Sequence, residues 1–242
     1  MKGIILAGGT GSRLQPLTTV INKHLLPIGQ VPMILHSVQK MKEAGIHHIA
    51  IVTNEDDIPS FQKLLGDGHN EKVNIQYAKQ EGARGIADGI AAGRRILGCG
   101  RCLVILGDNL FDDALLPYIE RYLHQPSGAK VLLKKVSDPH RYGIAQVNET
   151  LGEIEGIEEK PKIPKSSYCV TGIYMFDDDI DAFIEKIEPS ARGELEITDV
   201  NNMYIQQSIL TYDIMDGWWL DAGTHEALHE ANCHFWAEGE DS

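Results

Sequence analysis

The stretch most able to do chemistry is Leu6-Ala7-Gly8-Gly9-Thr10-Gly11-Ser12-Arg13. Glycines directly after an apolar run let the backbone approach a ligand closely and leave N–H groups free to face an anion. Arg13 closes the loop, and Lys23 follows within Asn22-Lys23-His24-Leu25-Leu26-Pro27. An arginine at the end of a phosphate loop can stabilise charge on a reacting phosphoryl oxygen. A nearby lysine can meet a second phosphate as a point charge. Two familiar loops do not fit. A Walker A loop needs GxxxxGK followed by Ser or Thr, and no such string occurs; a dinucleotide fingerprint GxGxxG begun at Gly9 and Gly11 would place its third glycine at Leu14. Pro16 also interrupts the helix that such a fingerprint opens. The loop predicts a phosphate or nucleotide held in another manner. The alternative is a glycine turn with two solvated cations.

Other chemistry-bearing residues are less decisive alone. Asp108 follows the strand-like run 102–106, where an open α/β sheet places its ligand crevice, but strands also commonly end in a turn aspartate. Glu159 and Lys160 are adjacent, so in an extended segment they would point to opposite faces, and an exposed charged pair reads equally well. Arg192 could fork onto a phosphate or form a local ion pair. Tyr142 and Trp219 fit a site wall or a core. Asp177, Asp178, Asp179 and Asp181 lack the glycine and terminal glutamate of an EF-hand loop and suit a helix N-terminus instead. Cys99 and Cys102 form one CxxC; a zinc ribbon needs a second pair, so a structural role is expected.

The elements that must position these residues alternate. Strand runs are predicted over residues 2–7, 48–53, 73–78, 102–106 and 129–136. Helical patterns fall between them over 32–44, 58–65, 86–97 and 114–123, the third weakened by Gly89 and Gly93. Such alternation predicts an open, mostly parallel α/β sheet. After residue 137 the texture changes. Shorter strands are predicted at 143–147 and 154–157, a longer one at 168–176, and helices at 179–187, 195–206 and 224–236. The second half is expected to be α+β and grafted onto the first sheet. No linker separates the halves, so residues 1–242 are expected to form one domain.

Composition narrows the classes. The chain has 242 residues, 43% hydrophobic and 24% charged, which is ordinary globular usage. The net charge of −13 argues against non-specific nucleic-acid binding, which needs a basic face. Phosphates must then be met by a few placed cations, backbone N–H groups or a metal. There is no membrane-length apolar run and no secretory signal, so no membrane association is expected and the cytoplasm is the default.

Gly8-Gly9-Thr10-Gly11-Ser12-Arg13-Leu14, Pro16-Leu17-Thr18 and Lys23-His24-Leu25-Leu26-Pro27-Ile28 together resemble the sugar-1-phosphate nucleotidylyltransferases, and within them the thymidylyltransferase branch that acts on glucose-1-phosphate. The resemblance continues through Leu106-Gly107-Asp108-Asn109, Asp138 to Gly143, Glu158-Glu159-Lys160-Pro161, Val170 to Tyr174, Ser190 to Asp199 and Trp219 to His225. These blocks stand in family order across nearly the whole chain.

The resemblance implies a Rossmann-like, three-layer α/β/α fold of the nucleotide-diphospho-sugar transferase type, with a mostly parallel mixed sheet. It implies that dTTP and glucose-1-phosphate give dTDP-glucose and pyrophosphate with Mg2+, as the first step toward dTDP-rhamnose. By position, Arg13 and Lys23 would be catalytic, and Leu6, Ala7, Gly8, Gly9, Thr10, Gly11, Gln80 and Gly85 would meet the nucleotide. Tyr142, Gly143, Glu159, Lys160, Val170, Arg192 and Trp219 would surround the sugar phosphate, and Asp108 and Asp221 would hold the metal. Asp88 stands where relatives often carry glutamine, with Arg84 close enough to neutralise it, which keeps UTP or another hexose-1-phosphate open. The chain stops soon after Trp236, so the short form is expected, without the C-terminal extension that builds a regulatory nucleotide site. A homo-oligomer is expected.

Overall fold

The computed structural model describes residues 1–82 and 84–237. In chain order the first half comprises β1 (Lys2–Leu6), the ribbon β2 (Pro27–Ile28) and β3 (Val31–Pro32), α1 (Met33–Glu43), β4 (His48–Thr53), α2 (Ile58–Leu65), β5 (Asn74–Lys79), α3 (Ile86–Leu97) and β6 (Cys102–Leu106). Then come β7 (Asn109–Phe111), α4 (Leu116–His124), β8 (Ala129–Lys135), β9 (Gly143–Asn148), β10 (Glu153–Glu159) and β11 (Tyr168–Phe176). The chain ends with α5 (Asp179–Ile184), α6 (Ile197–Gln206), β12 (Leu210–Ile214), β13 (Trp219–Asp221) and α7 (His225–Ala237).

Nine of these strands form one mixed sheet. Its first-half block is wholly parallel: β1 lies between β4 and β6, and β5 pairs outside β4. β11 runs antiparallel to β6 and carries β8 and β9 on its other edge. β10 follows antiparallel to β9, and β12 pairs parallel with β8. The second half is thus built onto the first sheet, as expected from the change in texture.

Successive residues of β1 face opposite sides of the sheet. Ile4 and Leu6 join a core with Ile90 of α3, Phe183 of α5 and Tyr204 of α6. Ile5 and Ala7 join another with Ile34, Val38 and Met41 of α1, Phe61 of α2 and Tyr122 of α4. Both faces are covered, which is the three-layer arrangement expected and the reason the central strands read as unbroken apolar runs. Each fully buried aliphatic residue on α1 contributes about 1.5–3 kcal/mol by leaving water. The glycines that seemed to weaken α3 are what let it approach: a Cβ on Gly93 would lie 2.8 Å from Ile4 Cγ2.

The acidic run is structural. Arg94 of α3, buried, is clamped by Asp178 and Asp181, and Asp177 accepts from Tyr204 Oη at 2.9 Å. Cys102 is buried and Cys99 exposed, and both are free thiols. No helix among the described residues is long and apolar enough to cross a membrane.

Candidate active site

The glycine loop leaves β1 at the C-terminal edge of the parallel block, where an open α/β sheet collects its ligands. Gly9 and Gly11 have φ of +90° and +60°, conformations that a side chain would oppose. In place of a helix, three short 3-10 turns follow at Ser12–Leu14, Leu17–Thr19 and Lys23–Leu25, consistent with the failed dinucleotide fingerprint. Asn22 braces the loop from beneath: its Nδ2 donates to Ala7 O at 3.1 Å. Thr18 Oγ1 donates to Gly11 O at 2.7 Å.

Asn22 also places the next residues. Its Oδ1 accepts from His24 N at 3.0 Å and faces His24 Nδ1 at 2.8 Å. Burial, and then the charge of Lys23, push the His24 imidazole down to about 3, so the ring is neutral at working pH. Lys23 is thereby aimed at Asp108, and the two form an ion pair at the end of β6.

Asp221 reaches the same spot from far along the chain. β13 pairs antiparallel with β7, setting Asp221 opposite Asn109, and Ala222 N donates to Asp108 O at 2.9 Å. Asp221 Oδ1 is buried and has no hydrogen-bond partner. Burial would raise Asp108, yet the charge of Lys23 and the hydrogen bonds from Lys23 and Asn109 hold its carboxyl below the usual carboxylate range. Burial, and then the charge of Asp108, push Asp221 up to about 6 from 3.8. An unfilled Cβ position on Gly223 lies 2.6 Å from Arg13 Nη2 and 2.8 Å from Asp221 Oδ1, so the guanidinium and the Asp221 carboxylate share the space beside Gly223.

Two cavities meet here. The first, of about 200 Å3, is walled by Leu6, Gly8, Gly9, Lys23, Gln80 and Gly85, with His24 and Glu194. The second, of about 240 Å3, is walled by Arg13, Tyr142, Gly143, Glu159, Lys160, Val170, Trp219 and Asp221, among others. Ile86, Leu106 and Asp108 belong to both walls, so the cavities form one cleft with Asp108 at its waist. The residues predicted for the nucleotide and those predicted for the sugar phosphate thus separate onto its two sides.

A few predicted residues lie elsewhere. Ala7 is buried beneath the loop, Thr10 is exposed and Gly11 is held by Thr18; none forms part of either wall. Arg192 is outside the walls too. Its guanidinium forks onto Glu196 at 2.9 and 2.8 Å and reaches Glu159 Oε1 at 3.5 Å, which is the local ion pair that the sequence left open. Glu159 and Lys160 do not point to opposite faces. β10 ends at Glu159, and Lys160 adopts φ of +45°, which turns it out of the strand and into the same cavity wall, with Nζ 3.5 Å from Glu159 Oε1.

A cleft with a glycine loop on one side, cations and a carboxylate pair at its waist, and a polar chamber beyond suits two phosphorylated substrates. The family profile described as nucleotidyl transferase matches residues 2–238. The chain belongs to the nucleotidyl transferase family. A Neisseria meningitidis relative named glucose-1-phosphate thymidylyltransferase is 42% identical over 234 residues, 96% of this chain and 81% of that protein. A crystal structure from Bacillus anthracis, provisionally assigned as a glucose-1-phosphate thymidylyltransferase and solved with sucrose, superposes with a TM-score of 0.93. It is 50% identical and covers 98% of this chain and 95% of that one. A UDP-glucose pyrophosphorylase complexed with UDP-glucose superposes with a TM-score of 0.86 at 25% identity, with 98% of both chains covered.

The geometry of this nucleotidyl transferase adds residues that sequence reasoning did not single out. Asn109 is a hub: its Oδ1 accepts from Gly172 N at 2.9 Å and Trp219 Nε1 at 2.8 Å, and its Nδ2 donates to Asp108 Oδ1 at 3.2 Å. It therefore fixes the indole and the carboxylate together. Arg141 supplies another cation to the second wall. Thr198 Oγ1 donates to Glu159 Oε2 at 2.9 Å. Only the position of Asn109 directly after Asp108 could have signalled a role.

Gly85 is required by its setting. Its φ is +98°, and a Cβ there would lie 2.4 Å from Leu195 O, a backbone atom that cannot easily move. Leu195 N also donates to Arg84 O at 2.8 Å, tying the segment before α6 to the start of α3. Gly85→Ala should destabilise the fold by about 1–3 kcal/mol through overpacking and backbone strain, and should raise the nucleotide KM. Urea denaturation with initial rates checks this, and unchanged stability would contradict the packing.

Proposed function

We propose that this chain transfers a thymidylyl group from dTTP to glucose-1-phosphate, giving dTDP-glucose and pyrophosphate. The observation that carries the reading is the two-chambered cleft with Asp108 on the wall common to both halves. The Neisseria meningitidis relative carries the name of this reaction. The product is a sugar nucleotide, and use in dTDP-rhamnose synthesis is part of the same proposal.

An oxygen of the sugar phosphate attacks the α-phosphorus of dTTP. A new P–O bond forms there as the α–β bridging P–O bond breaks, and pyrophosphate leaves with that electron pair. The nucleophile is already an oxyanion, so no residue has to remove a proton from it. The difficulty is repulsion between two anions, and catalysis is mainly positioning and charge stabilisation. On this reading the loop N–H groups of Gly8 and Gly9 face the triphosphate, and Lys23 meets phosphate oxygens at the waist. Arg13 stabilises charge at the reacting phosphorus. Gln80 and Gly85 face the base. Gln80 Nε2 is held by Gly85 O at 2.8 Å, which fixes the orientation of its carboxamide. Tyr142, Gly143, Glu159, Val170 and Trp219 enclose the hexose. Lys160 meets its phosphate, and Arg192 stands behind Glu159 as a positioning residue.

Asp108 and Asp221 fit a hard divalent cation such as Mg2+. They are a buried and a half-buried carboxylate in one place, and Asp221 Oδ1, itself buried, has no partner. When bound, the ion would neutralise phosphate charge and polarise the α-phosphate.

The carboxylate pair carries a testable cost. Because Asp221 titrates near 6 in the fold and near 3.8 ordinarily, its charged form opposes folding above pH 6, and that opposition fades as pH falls toward 4. Asp221→Asn should therefore stabilise the metal-free protein at pH 7.5 by about 3 kcal/mol, with most of that gain gone by pH 4, while turnover is lost. Urea denaturation in EDTA at both pH values checks this; a less stable variant at pH 7.5 would contradict it.

The reading itself is tested by pyrophosphate release from glucose-1-phosphate with Mg2+, comparing dTTP, UTP, CTP, GTP and ATP. The highest kcat/KM is expected with dTTP, abolished by EDTA. Faster release with UTP would replace the thymidylyl assignment.

A further inference from the structure

The wall of the second cavity carries a polar residue whose amide oxygen has no partner in the chain. Asn201 is 1% exposed, forms part of the cavity wall, and its Oδ1 is buried without any hydrogen-bond partner. Buried amide oxygens in folded proteins are almost always satisfied, so an orphaned one on a binding cavity marks a place where a donor is expected from outside the chain.

Its neighbour shows the contrast. Asn202 is engaged at both ends: its Oδ1 accepts from Ile157 N at 2.9 Å and its Nδ2 donates to Ile157 O at 2.9 Å. That pair of bonds fixes α6 against β10, the strand that ends in Glu159. Asn201 lies four residues after Ile197 and three after Thr198 and so neighbours both on α6, and all three belong to the cavity wall. Thr198 on that face donates to Glu159 Oε2 at 2.9 Å. The helix is thus locked in place by one asparagine, while the other, one turn beyond Thr198, belongs to the chamber wall with its amide oxygen unpartnered.

From this we infer that Asn201 is a specificity residue whose carboxamide oxygen accepts a hydrogen bond from one hydroxyl of the hexose. The inference rests on the proposed sugar-phosphate role of the second cavity and deepens it, because it makes one ring hydroxyl a requirement for good binding. A hydroxyl is the suitable donor. It can enter with a neutral sugar and adds no charge beside Glu159.

The test is a coupling experiment on the whole protein. Initial rates of pyrophosphate release are measured with saturating dTTP and with glucose-1-phosphate or its 2-, 3-, 4- and 6-deoxy analogues, for wild type, Asn201→Ala, Asn201→Leu and Asn201→Asp. Wild type should lose about tenfold in kcat/KM with one particular analogue, the scale of a single neutral hydrogen bond. Asn201→Ala and the closer-volume Asn201→Leu should lose about tenfold with glucose-1-phosphate itself, keep their KM for dTTP, and no longer discriminate against that analogue. Asn201→Asp, which keeps an acceptor, should restore the discrimination. If the variants lose the same factor with every analogue, Asn201 reads no hydroxyl and the inference falls while the functional reading stands. If wild type turns over no hexose phosphate, the functional reading falls, and the Asn201 assignment falls with it.

Discussion

Asp108→Asn is expected to lower turnover by at least about 10^3-fold, equivalent to some 4 kcal/mol of transition-state stabilisation, with the fold retained. The substitution keeps the shape of the side chain and the Asn109 contact, which can be remade with an amide oxygen. It removes the negative charge that Lys23 pairs with and that the proposed metal would need. The fold should survive because Asp221 shares the same pocket: without the Asp108 charge, the largest electrostatic influence raising Asp221 disappears, and its carboxylate can take over the neutralisation of Lys23. Circular dichroism, a melting curve and a pyrophosphate-release assay on one preparation check this. Wild-type turnover would remove Asp108 from the chemistry, and an unfolded variant would show that the Lys23–Asp108 pair is chiefly structural.

The second large effect is expected at Arg13. Its side chain is exposed, and no carboxylate among the described residues forms an ion pair with it. It lies near Asp221, beside Gly223, with no ion pair to hold it there. Arg13→Ala should therefore cost little stability and lower kcat by about 10^2–10^3-fold, the range for losing one preorganised donor to developing charge. The KM for dTTP should change only a few-fold, since an interaction made chiefly in the transition state lowers kcat and leaves ground-state binding in place. A large rise in KM with kcat unchanged would make Arg13 a nucleotide-binding residue.

Much of this site was legible where function depends on local chain order. The unbroken apolar run before Gly8 marks a strand buried on both faces, and the glycines mark its turn. Asp108 stands at the end of an equally apolar strand, so its place at the ligand edge follows from the parallel block. The pairing of Asp108 with Asp221 was not legible from spacing, because it depends on a three-residue ladder between β7 and β13, too short to leave a periodic signal. β12 escaped for a different reason: at the sheet edge it is half-exposed and mixes Thr, Tyr and Asp with its apolar residues. The turn at Lys160 was hidden because nothing in a Glu-Lys-Pro string announces a left-handed lysine. Arg192 did carry a signal. Glu196 lies four residues on, a spacing that pairs charges when the segment coils, and the structure forms that pair. The two asparagines of α6 were indistinguishable in sequence, and only the contacts of β10 separate the clamp from the asparagine with the unpartnered oxygen.

In the proposed reaction the nucleotide's α-phosphate moves to the sugar phosphate. The most direct measurement follows radioactive phosphate from two labelled samples of dTTP, incubated with the protein, Mg2+ and glucose-1-phosphate. With the α-phosphate labelled, the label should appear in dTDP-glucose; with the γ-phosphate labelled, it should appear only in pyrophosphate. Label from the γ-position on a sugar phosphate, or no α-label in any sugar nucleotide, would contradict the account.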